Sequence, residues 1–109
     1  MTLDLASFGR AIASARKLKQ LSQKELSALI RKEDGEPITP QYLNDIEHDR
    51  RSPSGDHLVK QFAKVLGIDI NVLFSTIGML SEEDRRLVKR ATAEQINEAF
   101  VAFRKELRK

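Results

Sequence analysis

Apolar residues recur along this chain at helical spacing, and no stretch alternates with period two for long. The pattern predicts an all-α fold. A first helix is expected from Leu5 or Ala6 to Lys19, with Phe8, Ile12, Ala15 and Leu18 on one inward stripe. A second opens at Ser22, where Ser22-Gln23-Lys24-Glu25 spells a capping box. In such a box the hydroxyl receives a backbone N–H three residues on, and the carboxylate there reaches back. Leu26, Leu29 and Ile30 are the expected inner face, and the small Ser27 and Ala28 let another helix come near. The stretch Arg31–Pro37 is polar and broken by Gly35 and Pro37. Ile38 returns to the core. A third helix opens at Thr39, with Pro40 in the first helical position, where a missing N–H costs nothing. Leu43 and Ile46 point inward, while Gln41, Tyr42, Asn44, Asp45 and His48 point elsewhere. The basic loop Arg50-Arg51-Ser52-Pro53 follows. Leu58, Phe62 and Leu66 mark a fourth helix closed by Gly67, and Asp69 caps a short fifth from Ile70 to Phe74.

After Ser75 the pattern changes. Ser81-Glu82-Glu83-Asp84 opens a helix with acids in its first turn and Lys89-Arg90 in its last, matching the helix dipole. Thr92-Ala93-Glu94-Gln95 is a second capping box. The helix behind it carries Ile96, Phe100, Phe103 and Leu107 as a narrow apolar seam.

Composition narrows the classes. A chain of 109 residues holds one domain with one core and room for an appendage. A hydrophobic content of 40% argues against disorder. The absence of cysteine excludes disulfides and thiolate-bound metal. No apolar run is long enough to span a membrane, and the N-terminus lacks the pattern of a secretory signal, so a cytoplasmic protein is expected. His48 and His57 have no third ligand placed with them, so neither metal nor other cofactor is expected. No serine stands in a nucleophile turn and no Gly-rich phosphate loop is present, so no enzyme is expected. A net charge of +3 does not announce a nucleic-acid binder by itself. The basic residues would have to gather on one face, with the acids elsewhere.

From about Phe8 to Phe74 the chain resembles the Cro/C1-type (XRE family) helix-turn-helix domain of bacterial and phage regulators. The residues carrying the resemblance are Arg16, Leu21-Ser22-Gln23-Lys24-Glu25-Leu26, Ile38-Thr39, Tyr42-Leu43, Ile46-Glu47, Arg51-Ser52-Pro53 and Leu66-Gly67-Ile68-Asp69. The chain departs at Arg31–Pro37, where the family usually has a much shorter turn. The resemblance implies a five-helix, lambda-repressor-like domain over residues 1–75, with its helix-turn-helix core at about 22–52. Residues 76–109 form a C-terminal helical extension outside it. It further implies a recognition helix in the major groove of double-stranded DNA, two copies per operator, and control of transcription. Physical reasoning supports the first of these independently, because a helix fits the major groove with its N-terminal residues at the base edges.

On that reading Gln41, Tyr42, Asn44 and Asp45 are the candidate base contacts. The amide of Gln41 can bridge adenine N6 and N7. Tyr42 can equally pack under the helix or offer its hydroxyl to a phosphate. Asp45 can accept from cytosine N4, or face water, or pair within the protein. Gln23, Thr39, Arg50, Arg51, Ser52 and Lys17 are the candidate phosphate contacts. In the family the arginine before the first turn pairs with the glutamate ending the recognition helix, which assigns Arg16 and Glu47 a structural role. The seam Ile96, Phe100, Phe103 and Leu107 is expected to build a homodimer, with a folded-back tail as the alternative. Residues 75–109 are too few to show a sensory ligand pocket. Two functions follow: a dimeric repressor acting on a palindromic operator, or an antitoxin-like module whose C-terminal helices bind a partner protein.

Overall fold

The computed structural model describes residues 3–78 and 80–109. It is all-α, with seven helices and no strand among the described residues. Two compact units divide the chain at residues 79 and 80.

The first unit holds α1 (Phe8–Leu18), α2 (Gln23–Leu29), α3 (Pro40–Glu47), α4 (Asp56–Leu66) and α5 (Ile70–Ile77). Local chemistry sets their limits. α1 starts later than its apolar pattern suggests, because the Ser7 hydroxyl accepts the Arg10 N–H and makes Ser7 the cap. At α2 both halves of the capping box form, from Glu25 N–H to the Ser22 hydroxyl and from Ser22 N–H to the Glu25 carboxylate. Those bonds from the backbone and hydroxyl of Ser22 hold the Glu25 carboxyl below its usual pKa. Thr39 accepts the Tyr42 N–H over Pro40 at the start of α3. Gly67, in the left-handed region at φ 70°, ends α4.

The core is one cluster centred on Ile12, Leu26, Ile30, Leu43, Ile46, Phe62 and Leu73, all fully buried. Phe8 meets Phe62 edge to face at 5.9 Å between centroids. α1 packs on α3, α4 and α5, and α2 on α3. Two residues of the expected stripes lie outside it. Leu29 is 50% exposed, since the buried residues of α2 are Leu26 and Ser27 and Leu29 stands about 110° from the midpoint between them, while Ile30 is buried from the extended cap that follows the helix. Leu18, in the last turn of α1, is also exposed. Helix α5 runs one turn past Phe74, to Ile77, before Gly78 turns left-handed.

The stretch Arg31–Pro37 is a closed loop. An antiparallel bridge joins Arg31 to Pro37, and the Lys32 N–H reaches the Glu36 carbonyl at 2.8 Å. Gly35 takes φ 88° at its tip, a conformation that glycine adopts at little cost. The base of the loop is pinned to α4. Arg31 N–H donates to Gln61 Oε1 at 3.1 Å, and His57 Nε2 sits 3.0 Å from the Arg31 carbonyl.

The second unit holds α6 (Glu82–Arg90) and α7 (Ala93–Leu107). Ser81 caps α6, and the full Thr92/Gln95 capping box opens α7. Ile96, Phe100, Phe103 and Leu107 fall within about 60° of one face of α7. Ile96 is half-buried and the other three are exposed.

Candidate nucleic-acid interface

Helix α3 shows two chemically distinct sides. Leu43, Ile46 and Glu47 are buried, and Gln41 is exposed, with Tyr42, Asn44 and Asp45 between. The buried side is fixed by charge as well as by apolar packing. Arg16 Nε donates to Glu47 Oε2 at 2.7 Å, and Nη2 donates to Glu47 Oε1 at 2.9 Å, a bidentate pair. The third guanidinium nitrogen, Nη1, donates to the Leu21 carbonyl at 2.9 Å. One side chain therefore ties the end of α1, the approach to α2 and the last turn of α3. The Glu47 hydrogen bond raises the Arg16 pKa above its ordinary value against the opposing pull of desolvation. Side-chain exposure is 12% for Arg16 and 3% for Glu47. The pair is nearly dry.

Gln23 joins this network. Its amide nitrogen donates to Asn44 Oδ1 and to Glu47 Oε1, each at 3.1 Å. Both amide protons are thereby committed. The opposite amide orientation would set its oxygen against a carboxylate, so the assignment is electrostatically secure. The Gln23 backbone N–H is one of the four at the helix start with no partner inside the helix.

A second clamp holds the same end of α3, through a residue that sequence reasoning passed over. Asp49 sits at φ 59°, in the left-handed region that Asp tolerates better than most side chains. Its carboxylate accepts the Ser7 hydroxyl at 2.7 Å and the Gly9 N–H at 3.1 Å, across the start of α1. The positive end of α1 favours a carboxylate there. Gly9 is what allows the approach, because a Cβ at this position would lie within 3.0 Å of the Ile46 and Glu47 carbonyl oxygens. The available signal was a glycine inside an otherwise regular helical pattern.

The outward side gathers most of the remaining candidates. Gln41 Nε2 donates to Asp45 Oδ1 at 3.1 Å. Arg50 Nη1 approaches the same oxygen at 3.4 Å, and Arg51 Nε lies 4.0 Å from Asp45 Oδ2. The Arg51 guanidinium also sits 5.7 Å from the centre of the Tyr42 ring. Lys32 of the closed loop lines the same shallow groove as Thr39, Gln41, Tyr42, Asp45 and Arg51. Ser52 is exposed just beyond, and Lys17 is exposed in the last turn of α1. Arg50 and Arg51 therefore flank the end of α3 and Lys32 joins them along its groove, while the middle of the helix holds amides and one carboxylate.

Among the described residues, no group of His, Cys, Asp or Glu is arranged to hold a metal ion, and no helix is long and apolar enough to cross a membrane. No significant match is found among curated proteins or among solved structures. The profile of the helix-turn-helix family matches residues 12–73, more than half of the chain, from within α1 to within α5. That span covers the Arg16–Glu47 pair, the capping box of α2 and the whole outward face of α3. The chain belongs to the Cro/C1-type (XRE) helix-turn-helix family of DNA-binding transcription regulators.

Proposed function

We propose that the protein is a sequence-specific repressor that works as a homodimer on a palindromic operator, with the first turns of α3 in the major groove. The observation that carries this reading is the fixation of α3. Its inner side is locked by the Arg16–Glu47 pair and the Asp49 clamp, while Gln41 stays exposed with Arg50 and Arg51 at the helix exit. A rigid helix with amides outward and cations at its end suits base reading between two phosphate contacts. Gln41 and Asn44 face the bases, and Arg50, Arg51, Ser52, Lys17, Thr39 and the backbone of Gln23 hold the strand. A second copy of the chain covers the α7 face of Phe100, Phe103 and Leu107, which supplies the two-fold symmetry a palindrome needs. Bound to the operator, the dimer represses by occupying the promoter.

Selection of bound sites from random duplex DNA tests the proposal. The expected product is an inverted repeat with half-sites about 34 Å apart, one helical turn. Affinity for it should fall with log salt at a slope of about −5, for three cations in each of two subunits at about −0.9 each. A single asymmetric site would remove the dimer from the proposal, and a flat salt response would remove the phosphate contacts.

A further inference from the structure

Resting on the reading of α3 as the DNA-reading helix, we infer that Asp45 contacts no base itself and is instead the residue that positions the reading face and sets its specificity. Three side chains of that face converge on it, and Tyr42 joins them through Arg51. Its carboxylate accepts the Gln41 amide, stands beside both Arg50 and Arg51, and so shares Arg51 with the Tyr42 ring. Its backbone carbonyl accepts the N–H groups of Arg50 and Arg51 at 2.9 and 3.3 Å, which starts the exit loop from the same residue. Side-chain exposure of Asp45 is 21%, against 60% and 64% for the two arginines, so Asp45 is the inner hub and they are the outer arms.

Two consequences follow from the chemistry. First, the bond to Asp45 uses one of the two Gln41 amide protons. The Gln41 oxygen and the second proton stay available together, one acceptor beside one donor, which is the pair adenine N6 and N7 require. Without Asp45 the amide rotates freely and the oxygen and nitrogen positions can exchange. Second, Asp45 competes with phosphate for Arg50 and Arg51. Ion pairs this exposed are weak, so a correctly placed phosphate displaces the carboxylate. A poorly aligned duplex gains less from that exchange and still meets the Asp45 charge, so the carboxylate penalises wrong DNA more than right DNA.

The test compares wild type with Asp45→Asn and Asp45→Ala in the full chain. Three readouts are used: affinity for unrelated duplex DNA across a salt series, preference at each base pair of the selected operator, and the NMR signals of the Gln41 side-chain amide without DNA. Melting curves verify folding. The expected result for Asp45→Asn is an affinity for unrelated DNA raised about three- to tenfold at low salt, with a slope steeper by about 0.9 for each arginine released. Asp45→Ala should also flatten preference at the base pair that Gln41→Ala flattens, and the double variant should flatten it no further. The Gln41 amide signals should shift in both variants of the free protein. Loss of preference at a different base pair, with unrelated-DNA affinity unchanged, would show that Asp45 reads a base itself and would overturn the inference. Unchanged Gln41 signals and an unchanged salt slope would overturn it too. A wild type without any preferred site would instead defeat the operator reading, and the amide signals and the salt slope would still judge Asp45.

Discussion

Replacing Gly9 with alanine is expected to lower the melting temperature of the DNA-binding unit by about 12–24 °C, for a cost of about 3 kcal/mol. Helix propensity alone predicts the opposite sign, a gain of up to about 1 kcal/mol for alanine over glycine. Sterics decide. The new methyl would press on the Ile46 and Glu47 carbonyl oxygens and on the Asp49 carboxylate. The first two are backbone of α3, which cannot step aside without moving Leu43 and Ile46 in the core. Relief would require separating α1 from α3, and with it breaking the Asp49 bonds to Ser7 and Gly9. Gly55→Ala is the control. Nothing lies within 4 Å of a Cβ there, and its φ of 173° is extended backbone that any residue adopts. Its cost should stay below about 1 kcal/mol, the loss of a glycine cap. Thermal melts of the two variants side by side measure both costs, and a Gly9→Ala protein as stable as wild type would contradict the close packing of α1 on α3.

Glu47→Ala should cost about 3–5 kcal/mol, the usual range when one member of a buried ion pair is removed. Domain stabilities are of the order of 5–15 kcal/mol, so the variant would stand near the edge of folding. The loss is large because of what remains behind. The Arg16 guanidinium, already drawn from water, would keep only its bond to the Leu21 carbonyl. Gln23 would lose one of its two acceptors. A comparison separates the stranded charge from the worth of the pair. Replacing both partners with apolar residues, Arg16→Met with Glu47→Leu, should cost clearly less than Glu47→Ala alone, since a buried pair gains little over hydrophobic packing. Chemical unfolding of the three proteins supplies the numbers. A Glu47→Ala variant that loses under 1 kcal/mol would show the pair to be idle.

The helices of the DNA-binding unit were largely legible because their signals are local. Ser22 with Glu25, Thr39 with Pro40, and Gly67 act within a turn of their own position, and the structure uses each as its chemistry dictates. The pairing of Arg16 with Glu47 spans 31 residues, and only the family resemblance pointed to it. Features set by distant neighbours were not readable. Gly9 looks like a weak point in α1 until the α3 carbonyls are seen beside it. Asp49 looks like one more polar residue in a loop until its φ of 59° aims it at the start of α1. The stretch Arg31–Pro37 reads only as polar and broken by Gly35 and Pro37, and the pinning of its base depends on Gln61 and His57 of α4, which no local pattern links to it. Leu29 fitted an apolar stripe by spacing, yet the side of α2 that α3 covers is centred elsewhere.

The outward face of α3 raises a different difficulty. Gln41, Asn44 and Asp45 are each plausible base readers when taken singly. In the folded protein Asn44 Oδ1 accepts from Gln23 and Asp45 Oδ1 accepts from Gln41, so both side chains are already engaged within the protein before DNA arrives. Gln41 is left with an acceptor and a donor together. On the proposed function it is the side chain on which base reading by α3 stands.

The decisive measurement is therefore the binding of Gln41→Ala to a series of operators, each altered at one base pair. The variant is expected to fold as wild type and to lose its preference at one base pair in each half-site, worth roughly 1–3 kcal/mol there, while the others keep theirs. Uniform weakening over every operator in the series would move Gln41 to the phosphate contacts, and that result, or no change at all, would contradict base reading by Gln41.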